Sequence, residues 1–140
     1  MSPGAVMWIN LRFWLLALLL AVSSPVVLAD DLYLICHPGL ALAPADVRDM
    51  FLGEKQYLNS VRLVPVDNAA AQAMFFEKVL KMNDVRYANT WARKSFRDGI
   101  NPPATMANDG AVVEFVKRTP GACGYLIRAP DEGVALIGRY

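Results

Sequence analysis

Residues 91–103, WARKSFRDGINPP, constrain the fold more than any other stretch of this 140-residue chain. Trp91 and Phe96 are large apolar residues in a pattern typical of an amphipathic helix, and Gly99 is typical of the residue that ends one. The two prolines that follow cannot continue a helix and force extended chain. We predict that Asp84 caps the start of this helix and that the helix buries one apolar stripe. The predicted inner stripe consists of Val85, Ala88, Trp91, Ala92, Ser95 and Phe96.

Basic residues occupy the other side of the same predicted helix. Arg86, Arg93 and Arg97 fall away from the apolar stripe, with Lys94 nearby. Such a face either docks an anion or a partner, or forms a solvated surface that nearby acidic residues balance. A charge run of this kind favours the solvated surface.

The first 29 residues have the pattern of a secretory signal peptide. Arg12 is the only charged residue before Asp30, and residues 13–22 form an unbroken apolar run. Val27 and Ala29 then occupy the two small-residue positions of a cleavage site. The alternative is an uncleaved membrane anchor, which needs about 20 predominantly apolar residues, and a Ser-Ser-Pro sequence interrupts the run too early. We predict cleavage after Ala29 and a periplasmic or secreted product.

Residues 30–140 are predicted to form a single domain, since this length is enough for one hydrophobic core. Without Arg12, the domain has 13 Lys and Arg residues against 13 Asp and Glu residues. This even balance gives no support for nucleic acid or an anionic membrane as a partner. Contact with a membrane is therefore expected only through the signal peptide before cleavage.

Two cysteines, Cys36 and Cys123, lie in the predicted mature domain. In an oxidising compartment they can form a disulfide that closes a long loop, or they can remain two buried thiols that act as small apolar residues. Both alternatives stay open at the level of sequence. The absence of a CxxC motif disfavours a redox enzyme.

The sequence offers no candidate catalytic or metal site. His37 is the only histidine, and it follows a predicted strand beside a proline, where a structural or solvent-facing role is expected. No second histidine and no cluster of Cys, Asp or Glu has the spacing of metal ligands. One histidine and two cysteines do not make a set of nucleophile, base and orienting group. We therefore predict no enzyme activity, no cofactor and no metal.

Strands and helices alternate along the domain, which predicts an α/β or α+β arrangement. Strands are predicted at residues 32–36, 62–67, 125–127 and 134–137, the last two as a hairpin. Helices are predicted from Pro44 to a stop at Gly53, over residues 69–82, from an N-cap at Asp84 to a stop at Gly99, and from an N-cap at Asn108 or Asp109 through Arg118. Pro65 implies an edge position or a gap in the hydrogen-bond ladder of its strand. Asn68 is the predicted N-cap of the helix 69–82.

Several motifs in order resemble those of phosphate ABC transporter substrate-binding proteins. They are LYLICHP, PADVRDMFLGEKQYL, WARKSFRDGINPP and VVEFVKRTPGACGYL. MFLG at residues 50–53 stands where that family has IFLG, and residues 119–126 match its TPGAIGYV-like strand. The resemblance implies an α/β fold, namely one lobe of a type 2 periplasmic-binding protein, with a small mixed sheet flanked by about four helices. It also implies a non-enzymatic binding protein.

The resemblance further indicates where a ligand would bind. Full-length relatives bind phosphate between two lobes, in part at a Ser-Gly-Thr turn that opens a helix after the strand matched here by residues 62–67. This chain has DNAAA at residues 67–71, so the hydroxyls are absent, and Asp67 would repel an anion unless it accepts a proton from it. The predicted helix N-terminus remains a generic anion site, which makes Asn68, Ala69 and Ala70 the candidate ligand-binding residues. The second lobe is expected to be missing.

Two functions are consistent with this pattern. The first is an exported, non-enzymatic domain that binds phosphate or another small anion weakly, in connection with phosphate uptake or sensing. The second is a protein-interaction module that has lost ligand binding and contacts a periplasmic or membrane protein. The alanine run at residues 69–71 favours the second function.

Overall fold

The computed structural model describes Pro25 and residues 30–140. Apart from Pro25, the predicted signal peptide 1–29 and its cleavage site lie outside the described residues. Among the helices of the described part, none has the length and apolar character that crossing a membrane requires.

A five-stranded mixed sheet forms the centre of residues 30–140. In chain order its strands are β1 (Tyr33–Cys36), β4 (Val64–Asn68), β5 (Ala104–Met106), β6 (Ala122–Leu126) and β7 (Ala135–Arg139), and a separate two-stranded ribbon contains β2 (Tyr57–Leu58) and β3 (Val61–Arg62). The spatial order is β5-β4-β6-β1-β7. Strand β4 is parallel to β5 and β6, whereas β1 is antiparallel to β6 and β7. The small mixed sheet predicted from the resemblance is therefore confirmed.

The pairing of the last strand differs from the prediction. Strand β7 pairs with β1, so the predicted hairpin between residues 125–127 and 134–137 is wrong. The position between β6 and β7 is taken by β1, which hydrogen-bonds to both of them. The prediction for Pro65 is confirmed. Strand β5 pairs with β4 only from Val66 onward, so the hydrogen-bond ladder on that side of β4 has a gap at Pro65.

Four helices pack on the sheet within the described residues. They are α1 (Pro44–Phe51), α2 (Gln72–Phe75, continued by a π-helical segment, Phe76–Leu80), α3 (Asp84–Asp98) and α4 (Asp109–Arg118). The bounds of α1 and α4 agree with the predictions, and α3 ends at Gly99 as predicted. The N-cap of α3 is Asn83 and not the predicted Asp84, because the Asn83 side chain accepts from the Arg86 N–H. The predicted helix 69–82 is wrong at its start, and Asn68 is not its N-cap. Strand β4 continues through Asn68, which pairs with Met106, so the chain turns before α2 begins.

The two faces of the sheet carry separate layers of core. One face packs against α1, α2 and α3, with Leu34, Cys36, Cys123 and Tyr125 at its centre. The opposite face packs against α4 through Ile35, Val66, Ala122 and Leu126. Neighbouring residues of a strand point to opposite faces, so each short strand supplies both layers. The result is a three-layer α/β/α arrangement.

The buried face of α3 is not the predicted inner stripe. Its buried residues are Tyr87, Trp91 and Lys94, whereas Phe96 is 95% exposed and Val85 is 61% exposed. Of the predicted stripe, only Trp91 is fully buried. Lys94 therefore lies on the inner side and not on the predicted basic face, since its side chain is only 11% exposed.

Polar groups at the ends of long side chains explain why α3 buries a different face from the predicted one. The Tyr87 hydroxyl donates to a buried carboxylate, and the Trp91 Nε1–H donates to the Phe51 carbonyl at 3.1 Å. Lys94 Nζ lies 2.8 Å from Glu54 Oε1. These partners belong to α1, to the turn after it and to β4, so they are absent from any local pattern of the helix.

A disulfide joins two neighbouring interior strands of the sheet. Cys36 of β1 and Cys123 of β6 lie directly opposite each other, and their sulfurs are 2.00 Å apart. Both residues are fully buried. Of the two alternatives left open by the sequence, the disulfide is therefore the one found.

Loss of this disulfide is expected to lower the free energy of unfolding by about 2–4 kcal/mol, because the bond restricts the unfolded chain over a long loop. The two cysteines are separated by 87 residues. Urea denaturation of the wild type and of a Cys36→Ala, Cys123→Ala variant measures the difference. Reductant should bring the wild type close to the variant and leave the variant unchanged. Equal stabilities of the two oxidised proteins would contradict this expectation.

Candidate functional site

The predicted ligand-binding residues lie at the carboxyl end of β4. In open α/β sheets, ligands bind in the crevice outside the carboxyl ends of strands. Asn68 is the last residue of the strand, and residues 69–71 form the turn that leads into α2. The structure brings Asn68, Ala69 and Ala70 together in one turn.

The backbone N–H groups of this turn already have acceptors within the chain. Ala69 N–H donates to the Met106 carbonyl at 2.9 Å, and Ala70 N–H donates to Asn68 Oδ1 at 3.1 Å. Ala71 N–H donates to the Asn68 carbonyl at 3.0 Å. An anion at this turn would have to displace these bonds, and the α-helical part of α2 has only four residues to add a dipole.

The Asn68 side chain connects three elements of the fold. It is fully buried, and its Nδ2 donates to Asp109 Oδ1 at 2.8 Å and to the Tyr125 carbonyl at 3.0 Å. The Asp109 carboxylate also accepts from the backbone N–H groups of Ile127 and Arg128. This network fastens the end of β4 to the start of α4 and the end of β6. The sequence predicted Asp109 only as an alternative N-cap of α4 and contained no signal for this role.

The Asp67 side chain, which precedes this turn in the chain, points into the core. It is 2% exposed, and its two carboxylate oxygens accept from the hydroxyls of Tyr87 and Tyr125, each at 2.8 Å. The sequence predicted that Asp67 would face an incoming anion, but the carboxyl group faces the two tyrosines. The register of β4 places it on the face that carries Tyr125.

Burial governs the protonation of this group. It raises the pKa of the Asp67 carboxyl above the ordinary value of 3.8, and the two tyrosine hydrogen bonds oppose this effect. Burial, together with the charge of Asp67, also raises the pKa values of Tyr87 and Tyr125. Both hydroxyls therefore remain hydrogen-bond donors over the physiological pH range.

An open groove of about 850 Å³ runs beside the turn, between α2 and the start of α3. Its floor contains Phe76 and Met82, and its polar rim includes Glu77, Lys81 and Asp84. Two carboxylates against one ammonium group do not favour an anionic ligand. The groove therefore adds apolar surface but no selectivity for phosphate.

Comparison with solved structures identifies the fold. The chain is similar to a phosphate ABC transporter substrate-binding protein with bound phosphate from Clostridium perfringens, with a TM-score of 0.59 and 17% identity over 77% of this chain and 44% of that one. It is also similar to PstS from Borrelia burgdorferi, with a TM-score of 0.52 and 15% identity over 69% of this chain and 40% of that one. These likenesses confirm the predicted fold of one lobe of a type 2 periplasmic-binding protein.

The chain spans less than half the length of either of these structures. Neither a protein family nor a curated protein matches the sequence.

Proposed function

We propose that the chain is an exported, non-enzymatic domain with a binding-protein-like fold that acts by contact with a periplasmic or membrane protein. The observation that carries this proposal is the internal pairing of the N–H groups of Ala69, Ala70 and Ala71. These are the donors that an anion would need at this turn, and each already has an acceptor. The orientation of Asp67 into the core supports the same conclusion.

The chemistry of the remaining reactive groups supports a non-enzymatic role. Cys36 and Cys123 are joined in a disulfide, so neither supplies a thiolate nucleophile. The His37 ring lies at the end of β1 with its Nδ1 2.9 Å from the Pro38 carbonyl. No general base positioned beside a nucleophile is found among residues 30–140.

A second candidate function is weak binding of phosphate or another small anion at Asn68, Ala69 and Ala70, linked to phosphate uptake or sensing. It is favoured by one observation, that a protein with the same fold from Clostridium perfringens holds bound phosphate. Binding here would require the turn to open, which predicts a low affinity.

Phosphate is expected to leave the melting temperature of the purified protein unchanged up to millimolar concentrations, compared with chloride at equal ionic strength. A ligand at 100 times its Kd would add about 2.7 kcal/mol of stability, so thermal melting is a sensitive measurement. Amide NMR signals of Ala69 and Ala70 provide a local readout. A melting shift accompanied by changes at these two amides would favour the second candidate.

A second experiment tests for a partner protein in cells that produce the chain. The tagged chain is cross-linked in living cells, purified under denaturing conditions and analysed by mass spectrometry. We expect one protein in near-stoichiometric amount, independent of added phosphate. Absence of any such protein, together with a phosphate-induced melting shift, would overturn the proposed function.

A further inference from the structure

The outward side of α3 carries an exposed apolar stripe, which we call the outer stripe. It consists of Val85, Ala88, Ala92 and Phe96. With 3.6 residues per turn, steps of three and four residues align these side chains along one line of the helix. All four are exposed, and Phe96 is 95% exposed. The stripe spans roughly 16 Å at 1.5 Å per residue.

A row of arginines runs along one flank of the outer stripe. Arg86, Arg93 and Arg97 follow it at spacings of seven and four residues, and all three are exposed. Arg97 pairs with Asp98, its neighbour in the chain. Within residues 30–140, the side chains of Arg86 and Arg93 have no ion pair. The arginine row is thus a local basic surface on a domain whose charges balance overall.

Neither the outer stripe nor the arginine row holds α3 in place on the domain. Tyr87, Trp91 and Lys94 attach it to the core by packing and by three hydrogen bonds. An apolar residue as large as Phe96 contributes nothing to the fold when it is almost fully exposed. Exposed apolar residues in a row beside positive charge are typical of a surface that a partner covers.

We propose that the outer stripe and the arginine row dock an acidic amphipathic helix of a partner protein. Ala88 and Ala92 at the centre allow the two helices to approach closely, since the distance between helix axes depends on the side chains at the contact. Val85 and Phe96 supply apolar contact at the two ends. The arginines pair with carboxylates that follow the same spacing of seven and four residues on the partner helix. This inference rests on the proposed function and specifies its partner.

The charges disfavour a second copy of this chain as the partner. In an antiparallel pair of α3 helices related by a two-fold axis, the same flank of each helix meets. Arg86 of one copy would then approach Arg97 of the other, and like charges in contact are unfavourable. A lipid surface is also disfavoured, because two of the four stripe residues are alanines, which bury little apolar area.

The test uses two synthetic helical peptides that differ only in charge. One carries an alanine-leucine face flanked by three glutamates spaced by seven and four residues, and the other has glutamine at the same three positions. Fluorescence anisotropy with the purified protein is expected to show binding of the glutamate peptide about ten times tighter than that of the glutamine peptide. Phe96→Ala and Arg93→Ala are each expected to weaken binding of the glutamate peptide about tenfold or more.

Two exposed residues away from α3 provide matched controls. Arg128→Ala and Leu136→Ala remove an exposed basic and an exposed apolar side chain and should leave binding unchanged. Melting curves confirm that all variants fold, which is expected because none of the substituted residues is buried. Equal affinities of the two peptides, or no binding of the glutamate peptide below about 1 mM, would overturn the inference.

Two further measurements identify the competing occupants. Co-sedimentation with phosphatidylglycerol vesicles that is lost in Phe96→Ala would assign the surface to a membrane instead. Self-association in analytical ultracentrifugation that is lost in Phe96→Ala would assign it to a second copy. If cells yield a partner that Phe96→Ala and Arg93→Ala capture as well as the wild type does, the proposed function stands and this inference fails.

Discussion

Replacement of Asp67 by alanine is expected to lower the free energy of unfolding by roughly 2–6 kcal/mol at pH 4. The change removes the acceptor of two buried hydroxyls, those of Tyr87 and Tyr125. A buried polar group left without a partner costs about 1–3 kcal/mol, so two such groups give this range. Urea denaturation of the variant and the wild type measures the difference. A loss of less than about 1 kcal/mol would show that water replaces the carboxylate.

The same carboxyl predicts how stability depends on pH. Because burial raises its pKa above 3.8, the folded protein binds this proton more tightly than the unfolded chain does. The unfolded state therefore holds fewer protons above pH 3.8, and the contribution of Asp67 to stability falls as the pH rises toward the folded pKa. Below pH 3.8 the contribution is fully present.

An Asp67→Asn variant isolates this effect, since the amide does not titrate. As the pH rises from 4 to 8, the wild type is expected to lose free energy of unfolding relative to the variant. Asp131→Asn, which removes an exposed carboxyl, serves as the control for the change in net charge. A wild type that gains stability over the variant with rising pH would contradict the raised pKa.

Replacement of Gly121 by alanine is expected to lower the free energy of unfolding by roughly 2–5 kcal/mol. Gly121 has a φ of +81°, where an L-residue costs about 1–2 kcal/mol. A Cβ atom there would also lie 2.1 Å from the Arg62 carbonyl oxygen, so the backbone has to move. Forcing extra volume into a packed site costs about another 1–3 kcal/mol.

Gly39→Ala is the matched control for this prediction. Gly39 has a similar φ of +87°, but a Cβ atom there would have no other atom within 4 Å. Its replacement is expected to cost only the backbone term of about 1–2 kcal/mol. Thermal and urea unfolding of both variants compares the two positions. Equal losses would show that β3 moves freely away from Gly121 and that the contact is not restrictive.

Features encoded by neighbouring residues were predicted well from sequence. Helix α1 begins at Pro44 as predicted, and the backbone passes into the left-handed region at Gly53 and Gly99. The Asn108 side chain caps α4 by accepting from Ala111 N–H. Each of these features depends on contacts within a few residues, so the local pattern contains the necessary information.

Features that depend on distant residues were predicted poorly. The turn at the candidate site was mistaken for a helix N-terminus because nothing local indicates that Asn68 pairs with β5 and bonds to Asp109. The outward position of Phe96 was missed for the same reason, since Trp91 and Lys94 find their partners 40 residues away. An apolar stripe on a helix predicts burial, but it does not say whether the core or a partner buries it.

The sequence by itself determined both ends of α1 and α4, the end of α3 at Gly99, the alternation of strands and helices, and the order of motifs that identifies the fold. Short-range sterics and hydrogen bonding decide these properties. Only the tertiary structure decided the strand order, the disulfide between Cys36 and Cys123, the inward turn of Asp67 and the outer stripe of α3. These features arise from contacts between segments far apart in the chain. In α3, the hydrogen bonds of Tyr87, Trp91 and Lys94 to such distant segments outweigh the apolar periodicity of the helix.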